Sequence, residues 1–102
     1  MRFVRVAAHD EVAEGALKGV EAEGEEILLA CVEGRIYAIE GICNHGLAYL
    51  EEGHLEGHEV MCPLHHGCFD VRSGAATRTP CTTALKSYPI HIEGRDVLVG
   101  VE

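Results

Sequence analysis

The sequence predicts an all-β domain of short antiparallel strands, and three observations carry that expectation. Apolar, β-branched-rich runs recur along the 102 residues, separated by brief turn signals such as Glu33-Gly34 and Glu93-Gly94-Arg95-Asp96. In the last run Val97, Val99 and Val101 alternate with Leu98 and Gly100, the period of a strand with one face more buried than the other. Pro63, Pro80, Pro89 and 12 Gly break the remaining long windows, so no helix of three turns fits.

Taken in order, residues 3–7 form an opening strand, and residues 10–15 hold a short helical turn that Asp10 could cap. Residues 27–32 and 35–39 flank Glu33-Gly34 as a hairpin. The same grammar returns where residues 54–55 and 58–61 flank Glu56-Gly57, and again where residues 88–92 and 97–101 flank residues 93–96. Two long loops remain, residues 41–53 and 63–86, the second partly broken by a strand-like piece near residues 69–71. Loops longer than about 12 residues in a small domain need a reason, commonly a binding site.

Length and composition narrow the function. A chain of 102 residues makes one small domain, residues 1–102, which leaves no room for a large enzyme. With 17 acidic against 8 basic side chains and a net charge of −9, nucleic acid is excluded as a partner, while a basic protein surface suits the charge. The longest apolar run, residues 27–32, is far short of a membrane span, and Met1-Arg2-Phe3-Val4-Arg5 lacks the apolar block of an export signal. The expectation is a soluble, cytoplasmic protein without a membrane partner. Five Cys, an odd number, fall below the density of a disulfide scaffold and should stay reduced.

The long loops hold the two closest Cys/His pairs, Cys43-Asn44-His45 and Cys62-Pro63-Leu64-His65, with 16 residues between His45 and Cys62. If the intervening hairpin brings the loops together, two thiolates and two imidazoles converge. Tetrahedral zinc can use that set, although structural zinc sites usually begin with two Cys separated by two to four residues. A [2Fe-2S] centre of the Rieske kind takes two thiolates on one iron and two imidazoles on the other, and ligands two positions apart can reach different irons.

The pattern Cys43-x-His45-x16-Cys62-x2-His65, continuing as Gly67-Cys68-Phe69-Asp70, resembles the Rieske [2Fe-2S] motif. The whole chain, including the ending from Ser87-Tyr88-Pro89-Ile90 to Val101, is similar to the small Rieske-type ferredoxins of bacterial aromatic-ring dioxygenase systems. The resemblance implies a Rieske-like fold of small stacked sheets, with a cluster-binding part at about residues 41–83 built from two ligand loops and a proline loop, Thr79-Pro80-Cys81. It implies one [2Fe-2S] cluster, with Cys43 and Cys62 on the inner iron and His45 and His65 on the outer iron near the surface.

The function implied is that of a one-electron carrier, not an enzyme. It would pass electrons from a flavin-containing, NAD(P)H-dependent ferredoxin reductase to a terminal ring-hydroxylating oxygenase. Both partners would dock transiently on a monomer, at a rim of His45 and His65 surrounded by Gly46, Leu47, His66 and Pro80. A second reading keeps the fold and makes the chain an accessory subunit of a larger reductase such as assimilatory nitrite reductase, but many such subunits lack the ligands that are intact here.

Two thiolates and two neutral imidazoles neutralise an oxidised cluster core that four thiolates would leave anionic, so reduction is easier than in an all-thiolate centre. Respiratory Rieske proteins carry a disulfide and hydroxyl donors where this chain has Ala48, Leu64, Gly67 and Phe69, which points to the low end of the Rieske potential range.

Other candidates have plainer explanations. Cys31 reads as a buried small hydrophobe, and Cys68 and Cys81 as packing beside the site. His66 faces solvent or a partner, while His9, His54, His58 and His91 are ordinary surface or half-buried imidazoles. Glu21, Glu23, Glu25 and Glu26 form a solvated edge, and Glu40, Glu51 and Glu52 are better placed to steer a basic partner.

Overall fold

A computed structural model describes residues 1–44, 48–64 and 66–102, whose regular structure is strand apart from two 3-10 turns. The strands form three small antiparallel sheets. In the first, β1 (Arg2–Ala8) pairs with β11 (Asp96–Val101), which pairs with β10 (Ile90–Glu93). The second runs β2 (Leu17–Ala22), β3 (Glu25–Val32), β4 (Arg35–Glu40) and β9 (Ser87–Tyr88). The third runs β5 (His54–Glu56), β6 (Glu59–Met61), β7 (Cys68–Asp70) and β8 (Ala76–Arg78).

The apolar run in β3 has no polar face because both its faces are covered. Leu28, Ala30 and Val32 pack into one core with Val60, Phe69, Val71 and Leu85. Ile27, Leu29 and Cys31 pack into a second with Ala7, Val97, Val99 and Val101. β4 divides the same way, Ile39 toward the first core and Ile36 and Ala38 toward the second. Each such aliphatic side chain removed from water contributes about 1.5–3 kcal/mol, so the middle sheet joins the other two through opposite faces. Cys43, Cys62 and Cys81 lie in the first core, while Cys31 lies in the second.

Several expectations need correction. The helical turn spans His9–Glu11 instead of residues 10–15, and Asp10 does not cap it: the Glu11 carboxylate accepts the Ala8 N–H at 2.8 Å. Glu21, Glu23 and Glu26 are exposed, as a solvated edge requires, but they flank a hairpin that the sequence does not announce: the end of β2, with Ala22 buried, and the start of β3. Alternating Lys, Gly and Glu in β2 hide its strand character, since only its inner positions pack. The β5–β6 turn falls on Gly57-His58 instead of Glu56-Gly57. Residues 88–92 are not one strand: Tyr88 pairs with Ala38 in the middle sheet, Pro89 interrupts, and Ile90 pairs with Val99 in the first sheet. Within residues 63–86 the strand-like piece expected near residues 69–71 is β7, and β8, three residues long, is too short for its alternation to register.

The β3–β4 hairpin is held by a residue distant from its turn. Glu33 and Gly34 both take left-handed φ values, 55° and 80°, as a two-residue primed turn requires. The Glu14 carboxylate accepts the Glu33 N–H at 2.7 Å and the Gly34 N–H at 2.8 Å, and the buried Cys31 thiol points at it from 3.8 Å. Those backbone donors hold the Glu14 carboxyl below its usual range. A folded-state value below the unfolded one stabilises the fold fully above the unfolded value and is lost as pH falls through the folded one. Glu14→Gln should therefore lower the thermal midpoint at neutral pH, and the gap to the parent protein should close below about pH 4. Thermal unfolding across that range checks it, and a gap independent of pH would contradict the carboxylate's role.

Candidate metal centre

Two loops leave the third sheet's neighbourhood in the same manner. After β4, Gly41 donates its N–H to Glu26 O and accepts from Leu50 N–H, both at 2.9 Å, and Ile42 bridges Tyr49. The Cys43 N–H then closes on Ala48 O at 2.9 Å. After β6, the Cys62 N–H closes on Gly67 O at 2.7 Å, and Cys62 O accepts the His66 N–H at 3.1 Å. Each loop thus springs from a Cys and is tied back five residues later, directly at that Cys. The loops are neighbours because β5 and β6 pair, His54 opposite Met61. Gly53 makes their close approach possible, since a methyl there would overlap the Met61 carbonyl and stand 3.2 Å from Leu50 O.

A third segment lies against both. It is anchored at Gly74, which donates to Asp70 O at 2.7 Å and accepts from Leu85 N–H at 2.8 Å. At its end Lys86 and Glu40 are doubly joined: the Lys86 N–H donates to the Glu40 carboxylate at 2.5 Å and the Glu40 N–H to Lys86 O at 2.9 Å. Asn44, in the first loop, donates its side-chain amide to Thr83 O at 2.9 Å. Cys81 sits in this segment with its Sγ 4.0 Å from Cys43 Sγ. Its other side faces Gly67, where a methyl would overlap Cys81 Sγ and lie 3.1 Å from Cys81 N.

Cys43 and Cys62, expected as inner-iron ligands, are therefore at the loop roots and almost wholly buried, each 1% exposed. His45 and His65, with the rim residues Gly46 and Leu47, lie outside the described residues. Among the described residues no group of three or more His, Cys, Asp and Glu has metal-binding geometry. His66 is exposed and takes a left-handed φ of 62°. Cys31, Cys68 and Cys81 are buried, as packing predicts, and among the described residues no disulfide is formed. Burial, followed by the neighbouring Cys43 thiol, pushes the Cys81 thiol up to about 12, and burial also raises Cys68. Ala48, Gly67 and Phe69 are buried and bring no hydroxyl.

Sequence reasoning missed the Cys43–Cys81 contact, for which 38 residues of separation leave no local signal. It also missed two exposed apolar side chains at the loops, Tyr49 and Leu64. A cavity of about 200 Å³ between Glu52, His54, Cys62 and His66 opens beside the second loop.

Comparison with known proteins gives concordant findings. Residues 2–89 match the Rieske [2Fe-2S] domain family. The ferredoxin component of the naphthalene 1,2-dioxygenase/salicylate 5-hydroxylase systems of a Ralstonia species is 45% identical over 100 residues, 98% of this chain and 96% of that protein. The ferredoxin of carbazole 1,9a-dioxygenase from Nocardioides aromaticivorans IC177 superposes with a TM-score of 0.95 at 35% identity, over 100% of both chains. A chain from the complex of reduced oxygenase and oxidized ferredoxin in carbazole 1,9a-dioxygenase gives a TM-score of 0.90 at 32% identity, covering 95% of this chain and 91% of that one.

The packing at Gly67 yields a direct test. Gly67→Ala should cost about 1–3 kcal/mol, because the new methyl must displace Cys81 from both loops. Cys81→Ala in the same chain should return part of that loss. Chemical denaturation of both variants measures it, and a Gly67→Ala protein as stable as the parent would refute the close approach.

Proposed function

Because this chain belongs to the Rieske [2Fe-2S] family, we propose that it is the one-electron carrier of an aromatic-ring dioxygenase system. It takes electrons from a flavin-containing, NAD(P)H-dependent reductase and hands them to a terminal ring-hydroxylating oxygenase. The observation that carries the reading is the pair of buried thiols, Cys43 and Cys62, at the roots of two loops closed in the same way. It is supported by near full-length relatives named as ferredoxin components, which favour a carrier over a permanent accessory subunit.

In this reading residues 1–102 are one domain and residues 41–83 its cluster-binding part. Cys43 and Cys62 hold the inner iron of a single [2Fe-2S] cluster, and His45 and His65 the outer one. The donor set suits that group: two thiols out of water in an apolar core can be ligands only if a cation compensates their charge on ionisation. When bound, the cluster supplies the capacity to accept and release one electron with no bond made or broken in a substrate.

The chain's own residues do the rest. The backbone closures at Cys43 and Cys62 fix where the sulfurs stand, and the thiols' burial keeps water from that side. The partners dock in turn at the His45 and His65 rim. Tyr49 and Leu64, 44% and 53% exposed and each within or close to a loop Cys/His pair in sequence, offer apolar contact area, and Glu52, beside Cys62 and His66, adds negative charge. With no hydroxyl at Ala48, Gly67 or Phe69, the potential lies at the low end of the Rieske range. The protein works as a cytoplasmic monomer, which leaves the rim open to both partners.

The purified protein should contain iron and acid-labile sulfide in equal amounts and give a Rieske-type EPR signal on reduction, whereas colourless zinc-loaded protein would overturn the reading. His45→Ala or His65→Ala should abolish that signal and His66→Ala should preserve it, with the opposite pattern moving the ligand to His66. If acidic residues steer docking, reduction by the partner reductase should accelerate roughly 10-fold between 0.15 M and 0.01 M ionic strength. Stopped-flow kinetics across that range would retire the steering role if the rate did not change.

A further inference from the structure

Cys81 occupies a place that calls for a small side chain but not for a thiol. It is 4% exposed, and Gly67 crowds it on one side while Cys43 Sγ stands 4.0 Å away on the other. Gly67 is also the residue whose carbonyl closes the second loop on Cys62. One side chain is thus wedged between the root of one loop and the closure of the other, and alanine would fill the hollow with less crowding. What sulfur adds is a proton donor aimed at another sulfur.

In the metal-free chain either thiol of the pair can donate to the other. A metal-bound Cys is a thiolate with no proton to give, so loading the site leaves Cys81 as the donor of the pair. A second thiolate in the same apolar hollow would set two like charges side by side out of water, which keeps Cys81 as the neutral thiol. We propose that Cys81 donates an S–H···S hydrogen bond to the metal-bound sulfur of Cys43 and thereby raises the reduction potential. It is a positioning residue that acts through Cys43. Adding an electron makes the ligand sulfur a stronger acceptor, so the bond favours the reduced state. The inference rests on the reading of Cys43 as a ligand.

The test compares cluster-loaded wild-type and Cys81→Ala proteins by protein-film voltammetry, with iron and sulfide counted in both. The equilibrium constant for reduction should fall by up to about 10-fold in Cys81→Ala, about 59 mV for one electron, at unchanged iron and sulfide content. An unchanged or higher potential with the cluster intact overturns the proposal and leaves the carrier reading standing, while wild-type protein without iron overturns the carrier reading itself. A second measurement does not depend on the variant assembling. The oxidised-minus-reduced infrared spectrum of the wild-type protein should show an S–H stretch that moves to lower frequency on reduction. An S–H region identical in the two states refutes the hydrogen bond.

Discussion

The two-sided burial of β3 is the constraint on which the other features depend. An ordinary edge or surface strand alternates apolar and polar residues, whereas in β3 Ile27, Leu28, Leu29, Ala30, Cys31 and Val32 follow Glu25 and Glu26 with no polar residue among them. Its odd residues meet β11 and its even residues meet the third sheet, beside Cys43 and Cys62. A small domain normally has one core, and here one strand forms a wall shared by two. The loops can therefore be long and irregular, because the Cys residues at their roots are packed against a wall that does not depend on them.

This division explains which parts of the fold were legible in the sequence. The β3–β4 hairpin and β11 stood out because their burial is nearly complete or strictly alternating, and Val97, Val99 and Val101 are each fully buried. β2 did not stand out, since Lys18, Gly19 and Glu21 dilute its pattern and its support comes from pairing with β3. Nor did the switch at Pro89, where one apparent strand serves two sheets: hydrophobicity at Tyr88 and Ile90 is the same signal whichever core receives it.

At the site, chemistry was more legible than geometry. Cys43 and Cys62 stand out as candidates by residue type and spacing, because ligand chemistry restricts both, and the structure buries both at the roots of their loops. The third segment does not stand out. Cys81 reaches Cys43 through a route that includes the Gly74–Leu85 tie and the Asn44–Thr83 hydrogen bond, and neither of these is a pattern within a short window. The absence of a Cβ at Gly67 is a pairwise fact about two segments, visible only when both are in place. The acidic composition was legible as a global quantity, yet Glu14 and Glu40 turn out to hold backbone N–H groups, so part of the negative charge is structural.

The double link between Glu40 and Lys86 bears on speed. It joins the end of β4, just before the first loop, to the end of the segment that carries Cys81, while β5 and β6 join the two Cys loops to each other. All three segments are thus clamped in a closed circuit. For a carrier this matters because the rate of electron hopping falls as atoms must shift to suit the new charge. In the proposed carrier, a centre held between segments tied in this way would have less room to relax when its charge changes. A carrier built so would meet each partner already shaped for either oxidation state.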